Sequence, residues 1–256
     1  MEWKLDRVKN ISEDVAKILL EGFDSVKEIE TSNLELGKIL EKIGLIKPKE
    51  GKPSFTEKDY RDKWGSYIGI LTSNGLGYTE GAKEKLILHI SPIAIQLKNN
   101  DISYEEFIIA ILSRIQFPKP NGSASGYEIN GEYDKPFIKI LKVLYILYQH
   151  DYKEAWFDNY EIIKHMEMIG YNCNYIKLVQ NILEDRKKEI DRSKLDSRDI
   201  FLNKCLESKI IIKNDNKFFL NIKKINDVKQ IILKNEGEFF NEDKSKWNEF
   251  FGRSIV

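Results

Sequence analysis

Twice along this 256-residue chain, segments whose apolar residues recur at helical spacing run into a short strand, turn, strand signal, and a stretch without any period separates the two series. In the first series, Ser12-Glu13-Asp14 is suited to cap a helix carrying Val15, Ile18, Leu19 and Phe23. Thr31-Ser32-Asn33 opens a second, with Leu34, Leu36, Ile39, Leu40 and Ile43, and Gly44 would end it. A third begins at Thr56-Glu57 and places Tyr60, Trp64, Ile68 and Leu71 on one inward face. Leu76 to Thr79 and Lys85 to Ile90 then read as a hairpin around Glu80-Gly81-Ala82-Lys83. A helix from about Ser103 to Ile115 closes the series.

From Phe117 to Pro136 the chain is rich in turn formers and has no period, which marks a linker. The second series has Phe137 to Tyr148, a helix over Asn159 to Ile169 ended by Gly170, Tyr175 to Ile190, and Arg198 to Ser208. Lys209 to Lys213 and Lys217 to Ile222, around Asn214-Asp215-Asn216, form its hairpin. The expected architecture is mainly α with small β-hairpins, as two winged-helix-like units in tandem. Their bounds are residues 1–117, a linker at 118–136, and 137–256 with a helical tail.

Composition limits what such units can do. Lys plus Arg and Asp plus Glu each number 41, so no global field draws the chain to a polyanion, and nucleic-acid contact has to come from local faces. The first residues lack the apolar core of a signal peptide, and the stretch Ile138 to Tyr148 is too short and too charged to span a bilayer, so the chain reads as cytoplasmic. Cys173 and Cys205 have neither zinc nor disulfide spacing and read as small apolar residues.

Two faces have the chemistry of a duplex reader, in which one helix enters the major groove and a hairpin touches phosphates. With its apolar face inward, the third helix presents Lys58, Arg61, Lys63, Ser66 and Tyr67, diluted by Asp59 and Asp62. A merely solvated helix face is the alternative. The second hairpin carries Lys209, Lys213, Lys217, Lys223 and Lys224 against the single acid Asp215. Just upstream, Arg192, Ser193, Lys194, Ser197 and Arg198 suit phosphates at a helix start. Lysines that guard a strand edge against aggregation are the competing reading.

Catalytic patterns are poor. Glu242-Asp243-Lys244 and Asp215-Asn216-Lys217 match the short half of a metal nuclease motif, but neither falls on a strand signal. His89, His150 and His165 have no ligand spacing, and Gly75-Leu76-Gly77 is too short for a phosphate loop. No catalytic residue, metal ligand or cofactor is assigned, and Mg2+ enters only with a nuclease domain or partner.

Several stretches together resemble the DNA-recognition portion of type IIS restriction endonucleases and related nicking endonucleases of the AlwI kind. They are Tyr60-Arg61-Asp62-Lys63-Trp64 with Leu71, Leu86 to Leu97, Phe107 to Pro118, Lys135-Pro136-Phe137-Ile138, and Arg198 to Leu220. At the wing turn, Ser91-Pro92-Ile93-Ala94 lacks the family's glycine. The resemblance implies a double-stranded DNA partner and a recognition module of a bacterial restriction or defence system whose nuclease lies elsewhere. Two rivals stand beside it: a compact metal-dependent nuclease whose acids converge from distant positions, and a winged-helix scaffold that binds a protein through the Phe137 to Tyr148 face.

Overall fold

The computed structural model describes residues 11–23, 28–51, 53–117, 133–167, 169–192, 199–237, 239–240 and 246–255. They fall into two compact units, residues 11–107 with 248–255, and residues 108–247. Each is mainly helical and contains one three-stranded antiparallel sheet.

In the N-terminal unit, α1 (Glu13–Glu21) starts where Ser12 Oγ accepts from the Val15 N–H. It buries Ala16, Leu19 and Leu20. Strand β1 (Glu28–Thr31) follows, then α2 (Asn33–Lys42), capped by Ser32, and α3 (Glu57–Ser73). A reciprocal capping box fixes the start of α3: Thr56 Oγ1 accepts from the Asp59 N–H, and Asp59 Oδ2 accepts from the Thr56 N–H. Helix α2 lies hard against α3, because a Cβ on Gly37 would come within 2.5 Å of the Tyr60 carbonyl oxygen. Trp64 and Leu71 are buried, and Phe23 meets the Trp64 ring edge-on at 6.2 Å between centroids. Burying each side chain of this size contributes about 1.5–3 kcal/mol.

The hairpin β2 (Gly77–Ala82) and β3 (Lys85–Ile90) comes next, with β3 in the centre of the order β1-β3-β2. Strand β1 is a finding the sequence did not announce. It pairs with β3 from Glu28 opposite His89 to Thr31 opposite Leu86. Leu86, Leu88 and Ile90 alternate into the core. Helix α4 (Pro92–Lys98), also unannounced, is started by Ser91 with proline in its first turn. Helix α5 (Tyr104–Arg114) is capped through Ser103 and Glu106. The end of the chain returns to this unit: the Ile93 N–H donates to the Gly252 carbonyl at 3.0 Å, and the Gln96 side chain takes both main-chain groups of Ile255.

The C-terminal unit is built around α6 (Pro136–His150), buried on nearly every side through its first three turns. Phe117 and Asp134 exchange both main-chain hydrogen bonds at 2.8 Å, just ahead of α6. The expected linker lies largely on 118–132, outside the described residues. Strand β4 (Trp156–Phe157) leads into α7 (Asn159–Glu161), then α8 (Tyr175–Arg186) and α9 (Asp199–Glu207). The hairpin β5 (Ile211–Asn214) and β6 (Lys217–Leu220) gives the sheet order β4-β6-β5, and α10 (Ile225–Asn235) packs on α6. In both units, therefore, the strand preceding the helices pairs with the second strand of the hairpin.

The helix expected over Asn159 to Ile169 is instead one α turn that widens into a π turn at Ile162–Met166. Its hydrogen bonds show the change of register: the Glu167 N–H reaches the Ile162 carbonyl at 2.8 Å, one residue further back than in an α-helix. Carbonyls at and beyond the end of the turn are taken by the buried Lys139 ammonium, which donates to Met166 O at 3.1 Å and Ile169 O at 2.5 Å while pairing with the buried Asp134. Burial pushes the Lys139 ammonium below its ordinary range, with Asp134 acting against that push.

Candidate nucleic-acid interface

The first candidate face is the outer side of α3 together with the β2–β3 turn. Tyr60, Trp64, Ile68 and Leu71 turn inward, Trp64 and Leu71 fully so. Lys58, Asp62, Lys63, Gly65 and Ser66 are exposed. A Cβ on Gly65 would meet nothing within 4 Å, so this stretch of helix backbone is open to close approach. Tyr67 is less available than its spacing implied: it is half-buried, and its hydroxyl donates to the Leu45 carbonyl at 3.2 Å. Burial raises its phenol. Tyr67 thus braces the segment between α2 and α3.

Arg61 leans from α3 toward the hairpin. Its Nη2 lies 3.7 Å from Glu57 Oε2 and 3.4 Å from Glu84 Oε2, the latter in the β2–β3 turn. Its Nε is buried and has no hydrogen-bond partner among the described residues. Between helix and turn lies a groove of about 420 Å³, lined by Asn33, Lys58, Arg61, Asp62, Gly65, Lys83 and Glu84. The groove was not legible in the sequence, because Lys83 and Glu84 are more than twenty positions from Arg61 and meet α3 only through the turn of the sheet.

The second candidate face is the β5–β6 hairpin. Asp215 takes a positive φ of 51° at its tip, as a tight turn requires, so that Asn214 pairs with Lys217. Lys209, Lys213 and Lys217 are all exposed. Lys213 Nζ lies 5.3 Å from the centroid of the Phe218 ring, and Lys217 Nζ 3.8 Å from that of Trp156. Arg186 also stacks on Trp156, at 3.7 Å, so that one indole carries two cations.

Behind the hairpin sits an ion network. Arg186 grips the fully buried Glu161 through Nε and Nη2, each at 2.8 Å, and reaches Glu154 at 2.6 Å. Arg192, placed by sequence among the phosphate contacts, joins this network through Nη1 to Asp158 at 2.8 Å and Glu161 at 3.0 Å. Burial pulls its guanidinium down, and these bonds outweigh that pull, so it stays charged. Lys194, Ser197 and Arg198 lie outside the described residues. The two faces belong to different units, and each gathers its own share of the expected residues.

Among the described residues there is no cluster of three His, Cys, Asp or Glu able to hold a metal ion. Asp215-Asn216-Lys217 forms the hairpin turn and the start of β6, and Glu242-Asp243-Lys244 lies outside the described residues. Cys205 is fully buried, which drives its thiol well above the ordinary range, and Cys173 is half-buried. No described helix is long and apolar enough to cross a membrane.

No family model matches the chain, and no curated protein matches it. Among solved structures, the chain is similar to the BpuJ1 endonuclease binding domain, determined in complex with pyrene- and phenanthrene-modified DNA. The TM-score is 0.65 at 15% identity, over 96% of this chain and 94% of that one. At that identity the likeness is one of fold. It falls on a BpuJ1 domain and does not support the AlwI kind that the sequence motifs resemble.

Proposed function

We propose that this chain is a sequence-specific reader of double-stranded DNA, built from two winged helices, that serves as the recognition module of a bacterial restriction or nicking endonuclease. The observation that carries the reading is topological. Each unit runs helix, strand, helices, hairpin, and in each sheet the first strand pairs with the last. That order sets a helix beside a hairpin, the pair of elements a winged helix lays against duplex DNA. The similar BpuJ1 domain was determined bound to DNA, which supports the same partner here.

In this reading α3 enters the major groove with Lys58, Lys63 and Ser66 outward and Gly65 allowing close approach. Asp62 on the same face is suited to accept from a cytosine amino group. Lys209, Lys213 and Lys217 hold the backbone from the second hairpin, and Lys194, Ser197 and Arg198 are assigned to phosphates. Arg192 is held by Asp158 and Glu161. The nuclease that acts on the bound duplex belongs to another domain or subunit, and magnesium enters there.

Fluorescence anisotropy on two duplexes, one preferred and one scrambled, separates the roles. Lys63→Ala should lower affinity for the preferred duplex and narrow the gap between the two, since a base contact is worth about 1–3 kcal/mol of discrimination. Lys213→Ala should weaken both equally and make the log–log salt slope shallower by about 0.9. If neither substitution changes affinity, the reading is wrong.

A further inference from the structure

Arg61 is the most constrained cation on the first face, and its constraint is acidic. We infer that the groove between α3 and the β2–β3 turn seats one phosphate of the DNA backbone on Arg61, and that Glu84 fills that seat in the free protein. The inference rests on the DNA-reading function proposed above and assigns Arg61 to the backbone instead of to a base edge.

Three observations converge on the groove. Its volume, about 420 Å³, admits a phosphodiester group, and its walls bring Lys58 and Lys83 to the same space as Arg61. The Arg61 Nε is buried and unpartnered among the described residues, which leaves one directed donor that a tetrahedral anion could take together with Nη2. The Glu84 carboxylate stands 3.4 Å from Nη2 yet is 67% exposed, against 40% for Arg61, so it is held at one point and free to swing out. An exposed pair of that length is weak, and a phosphate that engages two guanidinium donors replaces it at small cost.

An incoming strand has to evict Glu84 before Arg61 can engage, so every duplex meets the same local repulsion. Glu84 therefore lowers affinity for all DNA by the same factor and leaves the ratio between sequences unchanged.

A double-mutant cycle tests this. Wild type, Glu84→Gln, Arg61→Met and the double variant are titrated with a preferred and a scrambled duplex across a salt series. Circular dichroism melting confirms folding, which substitutions at this exposed pair leave intact. Glu84→Gln should raise affinity roughly two- to fivefold, the scale of one exposed ion pair. In the Arg61→Met background that gain should vanish, and Arg61→Met alone should make the salt slope shallower by about 0.9 on both duplexes. An equal gain with and without Arg61 would mean that Glu84 acts only through the general field, and would overturn the seat. Loss of Arg61 felt on the preferred duplex alone would return it to base reading and also overturn it. Both outcomes leave the DNA-reading function standing. A wild type that retains neither duplex at low salt defeats that function, and the seat with it.

Discussion

Glu161 is the residue on which the second candidate face depends most. It is fully buried and accepts from two arginines, Arg186 at 2.8 Å and Arg192 at 3.0 Å, so its loss takes the shared carboxylate from two cations at once and leaves them Glu154 and Asp158 as acidic partners. Removing one partner of a buried ion pair costs about 3–5 kcal/mol, and Glu161→Gln should lower unfolding stability in urea by that order. An exposed pair such as Lys38 with Glu35 should give almost no change under the same measurement. Asp185 gives a pH signature. A hydrogen bond from Lys188 is the main force holding its carboxyl below the usual range, with the His165 contact at 2.9 Å helping. With the folded value below the unfolded one, near 3.9, this group adds stability above that value and loses it as pH falls through the folded one. Asp185→Asn should therefore lower stability at neutral pH and flatten the acid limb of the curve, which thermal unfolding between roughly pH 2 and 6 would read. The buried partnerships were not legible in the sequence: Arg192 reaches acids 31 and 34 positions away, and as a residue among other cations it looked like a phosphate contact.

At the scale of elements, two glycines of the N-terminal unit should behave in opposite ways. Gly37 lets α2 touch α3, since a Cβ there would press to 2.5 Å from the Tyr60 carbonyl. Gly37→Ala should cost about 1–3 kcal/mol, the range for overpacking. Gly65 faces open space on α3, so Gly65→Ala should stabilise the helix by about 0.8–1 kcal/mol and, if α3 approaches DNA there, weaken binding to the preferred duplex. The helix starts were legible because Ser12, Ser32 and Thr56 are strong cap residues ahead of periodic runs, and each does cap the helix expected of it. Strands β1 and β4 were not. They are four and two residues long, and their pairing partners lie on the far side of two or more helices, so no local alternation marks them. The π turn was hidden for a similar reason, since the carbonyl at its end is satisfied by Lys139 on another helix.

At the scale of the molecule, balanced charge governs how this protein would meet DNA. With 41 basic and 41 acidic side chains there is no long-range field to bring it to a polyanion, so affinity has to come from two small faces, each partly neutralised by its own acids. Non-specific binding should accordingly be weak and selectivity should rest on contacts made after docking. Sequence-specific reading is tested most directly by selection from a randomised duplex library with the purified chain, at low and at moderate salt and without added metal, followed by sequencing of the retained DNA. Enrichment of one short motif that persists at the higher salt is the predicted result; retention of no duplex at either salt, or retention without any enriched sequence, would contradict it.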